Sequence, residues 1–274
     1  MPKPRPRISS DLTKPFLQFS HANGFPASCY AAMLGKLAPR YRIGAIEAIG
    51  TDPRFPVTEG WPLLVRQLID TLERSYGGEP VFGVGHSLGA YLTFLAAARR
   101  PELFRAIVML DAPVIGAVRG GLLGAVKRIG IVDRVTPAGA TRDRRSRWES
   151  LAEAERHFRT RRLFRNFTPE CLRDYVRFGL TERDGALHLK IDPAIEYSVY
   201  RTIPHGMHRY LKHLRVPAGF IGGSDSDVVK RTGLGPMRGS FELMKLPGGH
   251  LFPFEHPREA ARAIIEMAGR LGVA

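Results

Sequence analysis

Cysteine is scarce in this chain of 274 residues: Cys29 and Cys171 are the only two, and they stand far apart. That excludes a disulfide-stapled scaffold, which a chain of this length does not need, and both thiols are expected to be buried or idle. No apolar run approaches the roughly 18 residues of a membrane span. The opening MPKPRPRISS also lacks the apolar stretch that follows the basic start of a secretory signal, so the expected location is cytoplasmic. Acidic residues are few, 26 against 41 Lys and Arg, for a formal net charge of +15. Such an excess can serve nucleic acid, an anionic membrane or an acidic substrate. Much of it lies in one segment, where Arg142, 144, 145, 147, 156, 159, 161, 162 and 165 face only Asp143, Glu149, Glu153 and Glu155. No nucleic-acid motif accompanies them, so the plainer reading is a solvated helical face, and no nucleic-acid partner is expected. The chain also lacks a dinucleotide fingerprint and a phosphate-cradling loop, so no cofactor is implied. His205, His208 and His213 form the only potential metal cluster; without an acidic or Cys partner at ligand spacing they read as a helix surface, and no metal is expected.

The composition that remains is that of an ordinary globular protein, with 44% hydrophobic and 24% charged residues. Residues 1–14 are rich in Pro and basic side chains and read as a tail. Apolar or β-rich runs then occur at 16–20 (FLQFS), 42–48, 80–84 and 105–110, each followed by loop signals and three of them by a helix-like stretch. That alternation predicts a parallel sheet. Trp61, Leu64, Leu68 and Leu72 recur at helical spacing behind Pro62, which suits a first turn. After Asp111 the rhythm breaks: helical stretches are expected near 118–130, 147–164 and 169–179, with a hairpin from Glu182 to Leu189 around Asp184-Gly185. Strand-like runs return at 216–221 and 240–246, and a closing helix spans about 257–271. The expectation is one α/β core, 15–113 and 212–274, interrupted by a mostly helical cap at 114–211.

Gly85-His86-Ser87-Leu88-Gly89 stands between a buried strand and a helix, the setting that gives G-x-S-x-G its meaning as a nucleophile elbow. The abrupt turn leaves the central residue strained, the flanking glycines avoid collisions, and the helix behind aims its N–H groups at developing negative charge. Ser87 is therefore the candidate nucleophile. A serine hydroxyl needs a base within hydrogen-bond reach. His250, in the loop that follows the last strand through Gly248-Gly249, is the candidate at the same sheet edge.

With these residues, together with the His21-Ala22-Asn23-Gly24-Phe25-Pro26 turn and the Gly-Gly-His-Leu-Phe sequence before the last helix, the chain resembles the α/β-hydrolase superfamily over roughly residues 16–272. The resemblance implies a mostly parallel central sheet with helices on both faces, a lid inserted after the sixth strand, and the chain order nucleophile, acid, histidine. It also implies an oxyanion hole from the backbone N–H groups of Leu88 and Phe25, with Asn23 as fallback, and a structural role for His21. The acid stays open: Asp225 or Asp227 can be aligned with the family's acid loop, and Asp111, directly after the strand 105–110, is a third option behind them. Two features depart from the family. The leading hairpin is expected to be shortened or absent, and the loop Gly50 to Pro56 lacks the usual Gly-rich sequence.

The activity so implied is cleavage of a carboxylic ester or related acyl substrate through an acyl-enzyme. A Ser nucleophile disfavours dehalogenase and epoxide hydrolase chemistry. Thioester, lactone and carbon-carbon hydrolysis, perhydrolysis and acyl transfer to an alcohol remain open, as does a non-catalytic relative that binds a ligand or partner through its basic lid. The cap aromatics Trp148, Phe158, Phe164, Phe167, Tyr175 and Phe178 either line a pocket or simply pack. If the arginine-rich stretch faces the cleft, the small-molecule substrate is anionic.

Overall fold

The computed structural model describes residues 14–136, 138–142 and 144–273. The basic tail lies outside them except for Lys14, as does Asp143 of the arginine-rich stretch. The first four predicted strands form as β1 (Phe16–Ser20), β2 (Arg42–Ala45), β3 (Val81–His86) and β4 (Phe104–Leu110). The chain then leaves this sheet and builds a small antiparallel one from β5 (Arg147–Trp148), β6 (Leu180–Arg183) and β7 (Ala186–Leu189), in the order β5-β7-β6. It returns as β8 (Ala218–Gly223) and β9 (Glu242–Leu246). The main sheet runs β2-β1-β3-β4-β8-β9 with every neighbouring pair parallel.

Side chains that alternate along each strand separate two cores. Leu17, Phe19, Phe82, Val84, Ala106 and Val108 face one side, under the helices Ala31–Leu37 and Pro257–Arg270. Val81, Ile107, Met109 and Phe220 face the other, under the helices Pro62–Ser75 and Leu88–Arg99. Burial on both faces is why these strands read as short apolar runs rather than as alternating patterns. Leu64, Leu68 and Leu72 all lie in the second core, at the spacing the sequence showed.

The segment between β4 and β8 carries the helices Ala117–Arg128, Leu151–Arg159 and Pro169–Phe178 close to their predicted places. The predicted hairpin is β6-β7, turning through Asp184 and Gly185 at φ of 50° and 70°, the positive values that a two-residue hairpin loop demands. Two features were not foreseen: the helix Pro193–Arg201, although Asp192 caps it and Pro193 opens it, and the pairing of β5 with β7. Trp148, Phe158, Phe164 and Tyr175 of this segment share one hydrophobic cluster with Leu17 and Phe19, so it packs continuously onto the sheet. Among the described residues no helix is long and apolar enough to cross a membrane.

Candidate active site

Ser87 follows β3 and precedes the helix Leu88–Arg99, with φ 52° and ψ −115°, a conformation that L residues avoid unless their surroundings enforce it. Its N–H donates to the Leu110 carbonyl at 3.0 Å, and the Gly89 N–H donates to the His21 carbonyl at 3.1 Å. The packing also explains the two flanking glycines. A Cβ on Gly85 would lie 2.4 Å from the Gly89 carbonyl oxygen, and one on Gly89 would lie 2.0 Å from that of Ser20. Only Gly permits both approaches.

Ser87 follows β3, Asp111 follows the adjacent β4 and His250 follows β9, so all three loops emerge at the carboxyl edge of one parallel sheet, where such folds place their sites. His250 Nε2 stands 3.1 Å from Ser87 Oγ, and its Nδ1 stands 2.7 Å from Asp111 Oδ2. Asp111 is fully buried, and its Oδ1 accepts the Gly223 N–H at 2.7 Å while Oδ2 also accepts the Ser226 hydroxyl. An ionised carboxylate is acceptor-only, so the network assigns the proton of His250 to Nδ1 and leaves Nε2 to accept from Ser87.

This arrangement reverses the order of the acid candidates. The side chains of Asp225 and Asp227 are exposed; the Asp225 N–H donates to the Gly248 carbonyl at 2.9 Å, and Asp227 faces Arg231 at 3.9 Å. Neither hydrogen-bonds His250 among the described residues. The loop after β8 instead contributes Ser226, which points inward between the two aspartates and bonds Asp111.

The turn from His21 to Pro26 needs a second correction, for its expected donor. Phe25 N–H donates to the Ala22 carbonyl at 3.1 Å, because the fourth residue of a tight turn points its N–H back at the first. It is therefore engaged, and Phe25 contributes its ring to the cavity wall instead. The Asn23 backbone N–H has no hydrogen-bond partner among the described residues, while its side chain is held by donation to the Glu196 carbonyl at 3.0 Å. Leu88 N–H opens the helix and has no intrahelical partner. Leu88 and Asn23 are thus the available donors.

Two buried histidines support the turn. His21 accepts the Ile49 N–H at Nε2 (2.7 Å) and donates from Nδ1 to the Ala22 carbonyl (2.8 Å); burial lowers its pKa to about 4. His86, whose role the sequence reading left blank, donates from Nε2 to the His250 carbonyl at 2.9 Å and accepts the Tyr30 hydroxyl at Nδ1 at 2.7 Å. Tyr30 in turn accepts the Ala22 N–H at 3.2 Å. His86 thus ties the His250 loop to the His21–Pro26 turn, and burial followed by the neighbouring His250 lowers its pKa to about 3, keeping it neutral.

Ser87, His250 and Asn23 open onto a cavity of about 610 Å³. The segment between β4 and β8 also lines it, with Phe158, Phe164, Arg144, Arg161 and Glu196 among its residues. Of the aromatics in this segment, Phe158 and Phe164 line the space, while Trp148, Phe167 and Tyr175 are buried in packing. Glu196 is 2% exposed; burial pushes its carboxyl up to about 7 even though Arg144 Nη1 stands 2.9 Å from Oε2. No sequence signal marked this pair, whose members are 52 positions apart. Among the described residues no group of three or more His, Cys, Asp or Glu side chains is placed to hold a metal ion.

The sequence model of the alpha/beta hydrolase family matches residues 19–263. The chain belongs to that family. Among solved structures this α/β hydrolase is similar to E-2-(acetamidomethylene)succinate hydrolase, with a TM-score of 0.73 and 22% identity over 93% of this chain and 92% of that one, a likeness of fold. In sequence it is similar to a monoglyceride lipase homolog of Monkeypox virus, 31% identical over 86 residues that span 29% of this chain and 31% of the relative. It is also similar to the monoglyceride lipase of Mus musculus, 37% identical over 51 residues, 19% of this chain and 17% of the relative. The chain therefore matches less than a third of the length of these curated relatives.

Proposed function

We propose that this α/β hydrolase cleaves a carboxylic ester or related small acyl compound through an acyl-enzyme on Ser87. The observation that carries the reading is the continuous line Ser87, His250, Asp111, with contacts of 3.1 and 2.7 Å, whose first two members line a cavity of about 610 Å³. Ser87 Oγ attacks the acyl carbon as His250 Nε2 takes its proton, and the carbonyl oxygen becomes an oxyanion facing the N–H groups of Leu88 and Asn23. The tetrahedral intermediate collapses when His250 gives that proton to the leaving oxygen, which departs as the alcohol. A water then attacks the acyl-enzyme with His250 as base, and the acid product leaves with Ser87 restored. Asp111 holds the His250 tautomer and stabilises the imidazolium formed in each half-reaction. Residues 114–211 act as a cap, whose Phe158 and Phe164 offer apolar surface to the acyl chain.

The test is labelling with a fluorophosphonate probe, with Ser87→Ala and His250→Ala as controls, followed by turnover of p-nitrophenyl esters of increasing chain length. Wild-type protein is expected to label and both variants to lose the label. Labelling that persists in Ser87→Ala refutes the proposed nucleophile. No labelling of the wild type, together with no turnover, favours a non-catalytic relative instead.

A further inference from the structure

The two walls of the Ser87 cavity differ in charge. On the cap side three guanidiniums, Arg144, Arg145 and Arg161, face it against a single carboxylate, Glu196. Part of the arginine excess therefore lines the cavity that holds Ser87, with Arg145 and Arg161 at its solvent-exposed side. The three are not equivalent. Arg144 is engaged on both sides, with Nη1 on Glu196 at 2.9 Å and Nη2 on the Tyr175 hydroxyl at 3.1 Å. Arg145 pairs with Glu153 and gives its Nε to the Arg147 carbonyl at 2.8 Å. Arg161 pairs with no carboxylate among the described residues; its Nε donates to His157 Nε2 at 3.3 Å, and a neutral imidazole does not cancel its charge. The imidazole of His157 reports the local field. Its pKa is held below the ordinary value by burial first and then by Arg161, Arg145 and Arg144 in turn, so this wall resists a further positive charge.

We propose that Arg161, with Arg145 beside it, binds an ionised carboxyl group of the substrate, so that the compound cleaved at Ser87 is a small acyl compound carrying a second carboxylate away from the scissile bond. This rests on the hydrolase reading above and narrows its substrate. A guanidinium presents a planar fork that matches a carboxylate, and Phe158 and Phe164 line the same cavity with apolar surface for the rest of the compound. The cavity, about 610 Å³, has the size of a small-molecule site and leaves a nucleotide-bearing thioester largely outside.

The experiment is calorimetric titration of Ser87→Ala protein with monomethyl glutarate, which carries the carboxylate, and with dimethyl glutarate, which has the same length without it. The half-ester is expected to bind about tenfold more tightly, the worth of one charge-assisted contact. Adding Arg161→Gln is expected to abolish most of that preference, and Arg161→Lys to restore part of it. In otherwise wild-type protein, Arg161→Gln is expected to lower the ratio of kcat/KM for half-ester over diester, through KM. Equal binding of the two esters, or a preference that survives Arg161→Gln, overturns the inference. So does a thioester of coenzyme A that binds through Arg161 while the half-ester shows no preference. Because binding is read in Ser87→Ala protein, it does not depend on turnover. Loss of the preference in a chain whose Ser87 labels with fluorophosphonate removes this inference alone, whereas a preference without labelling removes the proposed chemistry and keeps the anion site.

Discussion

Asn in place of Asp111 keeps the shape of the side chain and removes its charge, at the point where four groups of the candidate site meet. Asp111 Oδ1 accepts one donor, the Gly223 N–H, and Oδ2 accepts two, His250 Nδ1–H and the Ser226 hydroxyl. An amide cannot serve all three. If its NH2 group faces Gly223, two donors meet and one buried N–H is left unpaired, which costs about 1–3 kcal/mol of stability. If the NH2 group faces His250, the imidazole is driven to the tautomer that carries its proton on Nε2, which cannot accept from Ser87. The corresponding substitution in serine proteases lowers kcat about 10⁴-fold, or about 5 kcal/mol in the barrier, and Asp111→Asn is expected to fall in that range. Asp225→Asn and Asp227→Asn alter exposed side chains and are expected to stay within about twofold of wild type. The assay is kcat/KM for p-nitrophenyl butyrate, with thermal melting by circular dichroism to show that each variant is folded. A folded Asp111→Asn protein retaining more than about a tenth of wild-type activity, or an equal loss in Asp225→Asn or Asp227→Asn, refutes the assignment.

The elbow geometry predicts a contrast between two glycines: Gly89→Ala drives a methyl to 2.0 Å from the Ser20 carbonyl and is expected to cost about 3 kcal/mol or more. Gly121→Ala, in the helix Ala117–Arg128 with nothing within 4 Å, is expected to add about 0.5–1 kcal/mol. Urea midpoints of equal size in the two variants would contradict this. Glu196 predicts a pH dependence. Burial raises its carboxyl from 4.5 to about 7, so between those values the folded chain keeps a proton that the unfolded chain has released. Its contribution is fully present below pH 4.5 and is lost as pH rises through about 7, amounting to about 3 kcal/mol at most. Glu196→Gln is expected to flatten that part of a stability-against-pH curve, and an unchanged slope would show that another group is responsible.

The sequence was informative wherever a local pattern has a single physical use. Strands buried on both faces, β1, β3, β4 and β8, announced themselves as apolar runs, and the two edge strands β2 and β9 were also read in place. Ser87 and His250 were legible because the first needs a glycine-flanked turn between strand and helix and the second follows a glycine pair behind the last strand. The oxyanion turn was legible as a turn, but not the direction of each N–H within it: the fold engages Phe25 with Ala22 and leaves Asn23 open. The acid candidates were ranked with Asp111 behind Asp225 and Asp227, because all three belong to loops at the same sheet edge and only the family alignment, not a local pattern, separated them. Packing distinguishes them, since Asp111 is fully buried beside His250 while the other two face solvent. The same holds for Arg144 and Glu196, and for the turning of Arg161 toward the cavity. Local pattern thus determined most of the elements, though not the helix Pro193–Arg201, and the residues that a strained turn demands. The choice of partners was left to tertiary structure, because burial and hydrogen-bond direction arise only when distant segments pack.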